Sequence, residues 1–445
     1  MNDSFDPHCY GAVADGHSKD TAAVQAAIDA AAAQGGTVRL AGGTFVCGTL
    51  YLKSNVALEI TNSATLLASP DIADYGTDTH HNRYRNEPEL DRCFLFAQDA
   101  ENVTICGSGV IDGNAAAFPN AGSIYRPMLL RVLRCRNVRV QNLRLLNAAA
   151  WATAFLDSDF IWATDLHIEN HRNYNGDGLD FDGCRHVWVC GCYIDGTDDN
   201  LCLQSSGLPV QDVHISDCAF TSVCAGIRIG LKSIGEISGV VISNCTMRNI
   251  WREGIKLECT EGGSITDILV ENVTMHNVRR PIFAILNNRY RPDDLGSSVE
   301  LNHIPPIGTM ARLRFVGITA VDDEGMAHAQ RRFDNDIMGE PRFGGCRLDA
   351  NAAHPIEDVT IRDFWYTAIG GVRLADLPAA PYPEVPDRLQ APTAPGSENY
   401  YPNWSRTTHL DARYVRGLTL ENLHFITLHS DERPKMLTEG PTVML

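Results

Sequence analysis

The chain has 445 residues, of which 44% are hydrophobic and 21% charged, with a formal net charge of −18 at pH 7. This is the composition of an ordinary soluble globular chain. Its acidity argues against nucleic acid and against anionic membrane surfaces as partners, since both require clustered Lys and Arg.

The opening residues, MNDSFDPHCYGAVADG, carry neither the basic region nor the apolar run of a secretory signal. No stretch approaches the ~20 uninterrupted apolar residues of a membrane span. The fourteen cysteines show no paired CxxC spacing, and the lone Cys190-Gly191-Cys192 is a weak metal signal. Reduced, mostly buried thiols in a cytoplasmic protein are the expectation, with no cofactor and no metal.

Asp20-Thr21 leads into AAVQAAIDAAAAQ and stops at Gly35-Gly36. A capping residue, an alanine-rich run and a glycine stop predict a helix over about 20–34. It would cover the open end of whatever follows. Beyond it the chain repeats. NVRVQNLRLLN (137–147), FIWATDLHIEN (160–170), HVWVCGCYIDG (186–196), DVHISDCAFTS (212–222), GVVISNCTMRN (239–249) and DILVENVTMHN (267–277) share one pattern. Apolar residues alternate with polar ones, then comes Asn, Asp or Gly, then a second short alternation. The equivalent positions Val140, Ala163, Val189, Ile215, Ile242 and Val270 are spaced by 23, 26, 26, 27 and 28 residues. Such spacing without helical periodicity predicts one β-solenoid coil per repeat, each burying its apolar side on the next.

Further copies occur at 102–111, 314–321, 358–367 and 417–426, so residues 1–445 read as a single parallel β-helix domain. Cys192, Cys218 and Cys245 fall at one equivalent position and predict a buried thiol ladder. Segments 69–101, 286–312 and 322–357 and the Pro-rich stretch 371–413 break the rhythm. They read as long loops on the solenoid, of the kind that form walls or lids.

Each coil also carries a strand after its turn: DGLDFD (177–182), DNLCLQ (199–204), AGIRIG (225–230) and EGIKLE (253–258). The pairs Leu179/Phe181, Leu201/Leu203, Ile227/Ile229 and Ile255/Leu257 fix the inward side. The residues between them then face outward. Three outward columns follow: Asp177, Asp199, Ala225 and Glu253; Asp180, Cys202, Arg228 and Lys256; Asp182, Gln204, Gly230 and Glu258. With coils ~4.8 Å apart, Asp177 and Asp199 are expected one rung apart, with Asp180 and Asp198 close by. Clustered carboxylates raise the pKa of at least one member, which keeps an acid protonated beside ionised neighbours.

With these residues in place, the chain resembles the polygalacturonase family of glycoside hydrolases, family 28. The likeness begins with GAVADGHSKDTAAVQAAIDAAAAQGGTVRLAGGTFVCGTLYLKSNV. Asn175-Gly176-Asp177-Gly178 resembles the family's Asn-Thr-Asp-Gly motif, and Asp198-Asp199 its paired aspartates. The resemblance implies an all-β, right-handed parallel β-helix and an inverting hydrolysis. Asp198 would be the general acid, and Asp177 with Asp199 would activate water. Inverting enzymes hold acid and base carboxyls roughly 6.5–9.5 Å apart. One rung is shorter than that, so Asp198 is expected to project from the turn.

The family pattern also breaks. Its Gly-His-Gly stands here as Cys224-Ala225-Gly226, its lysine after the aspartate pair as Gln204, and its Arg-Ile-Lys as Lys256-Leu257-Glu258. Each change removes positive charge from positions that the family uses for uronate carboxylates. Arg228 is a gain, either orienting the aspartates or gripping a carboxylate. Asn175, Asp180, Gln204, Arg228, Lys256, Glu258 and Trp151 are therefore the expected substrate-binding set. Trp251, Tyr400, Tyr401 and Trp404 are further candidates for stacking on sugar.

The reading is an exo-acting hydrolase of pectin-derived or other plant oligosaccharides or glycosides. An α-galacturonidase or rhamnogalacturonan-type hydrolase acting on uronate oligosaccharides is the alternative. Two readings from other classes remain. One is a Ca²⁺-dependent β-helix lyase, with Asp177, Asp180 and Asp199 on the ion and Arg228 or Lys256 as base. The other is a non-catalytic carbohydrate-binding solenoid.

Overall fold

The computed structural model describes residues 3–79, 91–120, 126–288, 305–327, 344–377, 379 and 404–440. The chain divides into two compact units, Met1–Asp198 and Asp199–Leu445. The fold class is the expected one, an all-β right-handed parallel β-helix.

In the first unit the helix runs Thr21–Ala32, buries Ala23, Val24, Ala27, Ile28 and Ala31 on one side, and packs on the strands Gly36–Leu40 and Leu50–Leu52. Asp20 does not cap this helix with its side chain. Its carboxylate instead accepts from the backbone N–H groups of Val13 (2.7 Å) and Ala14 (3.0 Å), so it ties the preceding segment to the helix start. The coils that follow stack in register. Val140 pairs with Ala163 and Ala163 with Val189, as the repeat spacing requires.

The second unit continues the same rule. Ile215, Ile242, Val270, Phe315, Ile361 and Leu420 form one continuous column. The turn residue of each repeat has a structural cause. Asn142, Asp165, Gly191, Asp217, Asn244 and Asn272 all take φ between 52° and 68°. Only Gly, Asn and Asp tolerate that left-handed conformation well, so the repeat admits those three types. Cys218 and Cys245 lie on consecutive coils, buried, with the Cys245 thiol pushed up chiefly by its contact with Cys218.

Three interruptions expected from sequence contain strands. Cys93–Gln98, Cys346–Asp349 and Leu410–Arg413 each complete a coil, the latter two pairing with one another. Cys346–Asp349 reads Cys-Arg-Leu-Asp, with Arg347 and Asp349 alternating with apolar residues. Four residues with buried charge on one side give almost no apolar signal, which is why they read as loop. The rest of the stretch 371–413, including Tyr400 and Tyr401, lies largely outside the described residues. No helix among the described residues is long and apolar enough to cross a membrane.

Candidate active site

In the first unit, the strand Leu179–Asp182 pairs with Thr153–Leu156 and sends Leu179 and Phe181 inward. Phe181 stacks on Phe155 with ring centroids 5.0 Å apart and planes 11° off parallel. Alternation leaves Asp180 and Asp182 on the other side. The segment before this strand is tightly held. Asn175 has φ 57°, and its Oδ1 accepts from Arg126 at 2.7 Å.

Gly176 donates to Thr197 Oγ1 at 3.0 Å and accepts from the Thr197 N–H at 3.2 Å. A Cβ at Gly176 would lie 2.3 Å from the Asn170 carbonyl oxygen, so only glycine fits between the two motifs. The Asp177 carbonyl is held by Asn170 Nδ2 at 3.2 Å and by the Ala152 N–H at 3.0 Å, immediately after Trp151. Asn175, Asp177, Asp180, Asp182, Asp198 and Trp151 are all buried. Arg126, Asn170 and Thr197 hold this half together and were not in the sequence-derived set. No periodic pattern marks them: Asn170 and Thr197 act on backbone groups, and Arg126 reaches the Asn175 side chain from a distant part of the chain.

The second unit begins at Asp199. The strand Leu201–Ser205 pairs with Ile227–Ser233, and that strand with Thr246–Cys259. Cys202, Arg228 and Lys256 stand in one column, and Gly230 and Glu258 in the next, as expected from the inward aliphatic phase. Arg228 donates from NH1 to Asp199 Oδ2 at 2.8 Å and from Nε to Cys202 Sγ at 3.2 Å, with both members of the ion pair buried. Of the two roles open to Arg228, the geometry is that of a residue orienting Asp199.

Lys256 Nζ lies 3.4 Å from Glu258 and 3.8 Å from Glu253. Burial alone would lower the Lys256 pKa, but those two carboxylates outweigh it and hold the ammonium charged. Glu258, the residue that breaks the family motif, is therefore neutralised within its own column pair.

Arg252 falls outside the columns because it lies one residue before they begin, where the strand Thr246–Cys259 shifts register between Ile250 and Glu253. Its backbone N–H donates to the Cys224 carbonyl at 3.1 Å, which places it one coil on from Cys224. It is 3% exposed, and its Nε and NH1 make no hydrogen bond among the described residues. Burial opposes its charge, while Glu253, Cys224, Glu258 and Asp199 raise its pKa. Glu253 is in turn held low against burial by Arg252, Lys256 and Arg280, the last at 3.1 Å.

Around Asp199 and Glu253, Arg228, Arg252, Lys256 and Arg280 are thus set against Asp199, Glu253 and Glu258. Gln204 is buried with its Nε2 donor lacking a partner among the described residues. Trp251 is buried, and one face of its ring is covered by the Arg279 guanidinium at 4.0 Å. That face is not open for stacking on a sugar. A divalent cation at Asp199 would also lie against the Arg228 guanidinium, so the second unit's contribution suits an ion pair better than Ca²⁺.

Residues 44–305 match the family described as glycosyl hydrolases family 28. The chain is 27% identical over 262 residues to a probable polygalacturonase of Vitis vinifera, covering 52% of each chain. It is 25% identical over 243 residues to an exo-poly-α-D-galacturonosidase of Dickeya chrysanthemi, covering 43% of this chain and 40% of that one. It thus spans about half the length of these curated relatives. An exopolygalacturonase from Thermotoga maritima has the same fold, with TM-score 0.69, 19% identity, and coverage of 96% and 92%. So does the Yersinia enterocolitica family 28 exopolygalacturonase, with TM-score 0.70, 16% identity, and coverage of 99% and 77%. The chain belongs to glycoside hydrolase family 28.

Proposed function

We propose that this chain is an inverting, exo-acting glycoside hydrolase that removes a terminal uronate sugar from pectin-derived oligosaccharides. Asp198 serves as general acid, and Asp199 with Asp177 as the carboxylates that take the proton from water. The observation that carries the reading is the buried ion pair between Arg228 and Asp199. It fixes one oxygen of Asp199 and so sets the direction in which the carboxylate points, as a positioned base requires. The first unit holds Asp177 by its own carbonyl, through Asn170 and Ala152.

The preference for a uronate rests on the second unit's cations. Arg252 has hydrogen-bonding capacity left over, and Gln204 offers a neutral donor where the family has lysine. Lys256 is occupied by Glu258 and Glu253 and only balances them. Exo action is supported by the named activity of the Dickeya relative. A cytoplasmic location belongs to the same proposal, on the strength of fourteen free and mostly buried thiols.

The test is product identification by mass spectrometry on a pool of pectin-derived and neutral plant oligosaccharides, with NMR of the anomeric proton in the first minutes. Free galacturonic acid of inverted configuration is the expected product. Asp198→Asn and Asp199→Asn should each lower turnover by about 10³-fold or more, of the order expected when an acid or base is lost. Near-normal turnover in either variant sinks the assignment of roles. Release of neutral sugar alone sinks the uronate preference.

A further inference from the structure

In the first unit, Gly176 and Thr197 stand immediately before Asp177 and Asp198. Whatever joins those two residues therefore fixes where the two carboxylates start. Thr197 is tied to the 173–176 segment by three hydrogen bonds. Its hydroxyl donates to the Asn173 carbonyl at 2.6 Å and accepts from the Gly176 N–H at 3.0 Å. Its own N–H donates to the Gly176 carbonyl at 3.2 Å. These bonds are shielded from water, since Thr197 is 4% exposed and Asn173 2%. The far side of the clamp is anchored too. Asn173 Nδ2 donates to the carbonyls of Ala115 and Ala149, at 3.1 and 3.2 Å.

The second residue of the Asn-Thr-Asp-Gly motif stands here as Gly176. A Cβ at Gly176 would lie 2.4 Å from Thr197 Oγ1. The space where that side chain would begin is thus taken by the Thr197 hydroxyl, reaching across from the other motif.

The two carboxylates depend on this clamp unequally. The Asp177 carbonyl is held by Asn170 and Ala152, without Thr197. On the other side, Asp195 in the strand Tyr193–Gly196 is held by His171 at 3.0 Å. Gly196 and Thr197 alone separate that tie from Asp198. Glycine has no side chain to hold the turn, so the Thr197 side chain directs the chain into Asp198.

We propose that Thr197 is a positioning residue for the general acid: its hydroxyl clamps the turn to the 173–176 segment and sets the reach of Asp198. The inference rests on the acid role proposed above for Asp198. As the glycosidic C–O bond breaks, the Asp198 proton passes to the leaving oxygen. Displacing the carboxyl by about 1 Å costs roughly 10²-fold in rate.

The experiment measures kcat and KM on trigalacturonate and on α-D-galacturonosyl fluoride. The oligosaccharide needs its leaving oxygen protonated, whereas fluoride leaves without a proton. Both substrates need the carboxylates that activate water. The ratio of the two rates in one preparation does not change with the fraction of chain that is folded, so a merely structural role leaves it unmoved. Thr197→Val keeps the side-chain shape and removes both hydroxyl hydrogen bonds, and Thr197→Ser keeps both.

Thr197→Val is expected to lower kcat on trigalacturonate by about thirtyfold or more, with the fluoride rate and both KM values within about threefold of wild type. Thr197→Ser should restore the wild-type ratio. Should the valine chain not fold, Thr197→Cys keeps a weaker donor and acceptor and should show the same selectivity with a smaller drop. An unchanged ratio in a folded valine or cysteine variant overturns the proposal. Asp198→Asn separates this failure from that of the reading beneath it, because a lost acid spares the fluoride in the same way. Selectivity in Asp198→Asn but not at Thr197 sinks the clamp alone. Equal loss of both rates in Asp198→Asn, or a wild-type chain that hydrolyses neither substrate, sinks the acid assignment and the clamp with it.

Discussion

The two sides of the same strands in the second unit are built by opposite rules. On the inward side, Leu201, Leu203, Ile227, Ile229, Ile255 and Leu257 are fully buried and interchangeable in kind. Any branched aliphatic residue of the right size satisfies such a column. On the outward side, Asp199, Arg228, Arg252, Glu253, Lys256 and Glu258 are nearly as buried, yet each tolerates its place only because of a particular partner. The inward column is stabilised by area removed from water, at about 25 cal/mol per Å². The outward one is stabilised pair by pair, and desolvation opposes every charge in it. Burial alone therefore says little about what a substitution will do; the kind of burial decides.

The sharpest way to break that contrast is to orphan one charge. Arg228→Met should cost about 3–5 kcal/mol, since Asp199 is left buried without its guanidinium, and chemical denaturation of the full chain would measure it. Turnover should fall with it, because the base loses its orienting contact. A cost below about 1 kcal/mol would mean that Asp199 finds other support, and the contrast would lose its clearest case. Ile229→Ala, one residue along on the other side, should cost about 2–4 kcal/mol through lost burial and a cavity. Ile229→Val should cost about 1 kcal/mol. The aliphatic series is graded by volume, whereas Arg228→Lys keeps the charge but loses the fork that serves Asp199 and Cys202 together.

A third expectation concerns pH and uses Asp322. Its carboxyl is raised in the folded chain to about 7, above the ~3.9 of an unfolded aspartate. The folded state then holds the proton more tightly than the unfolded one. This group's favourable contribution is fully present below about pH 4 and is lost as pH rises through about 7. The slope attributable to it is at most about 1.4 kcal/mol per pH unit. Asp322→Asn should flatten that part of the stability–pH curve. An unchanged slope between pH 5 and 7 would show that the carboxyl is ionised throughout.

The same contrast explains what was legible in the sequence. The repeat column from Val140 to Val270 was readable because alternation and a turn residue are local and periodic. The left-handed Asn, Asp and Gly of each turn carry the phase on their own. The outward columns were readable wherever an inward pair fixed the phase, so Arg228 above Cys202 and Lys256 above Arg228 were placed correctly. Arg252 was not, since it lies where the strand Thr246–Cys259 shifts register between Ile250 and Glu253, which breaks the alternation. Arg126 was not, since it holds Asn175 across 49 residues with no periodic link. Strands such as Cys346–Asp349 were hidden because buried ion pairs, here Arg347 and Arg413 on Asp349, replace the apolar signal. Partnership between distant charges is a property of the stack, and single repeats do not encode it.

The smallest effect expected is the most informative about that partnership. Lys256 and Glu258 alternate along one strand, 3.4 Å apart at their charged ends. Removing either alone leaves a buried charge and should cost about 3–5 kcal/mol. Removing both, as Lys256→Met with Glu258→Leu, changes no net charge and replaces two desolvated ions with apolar groups of similar size. Glu253 keeps Arg280 at 3.1 Å and Arg252 at 3.6 Å, so no carboxylate is stranded by the loss of Lys256. The double variant should therefore lie within about 1 kcal/mol of the parent, with a double-mutant cycle returning a coupling of several kcal/mol. If the two single costs simply add, Lys256 and Glu258 are stabilised by separate surroundings, and Glu258 must then be neutralised by something other than Lys256. If they cancel as expected, the break in the family motif is a compensated pair. The charge available to a substrate on this face then comes from Arg252 and not from Lys256.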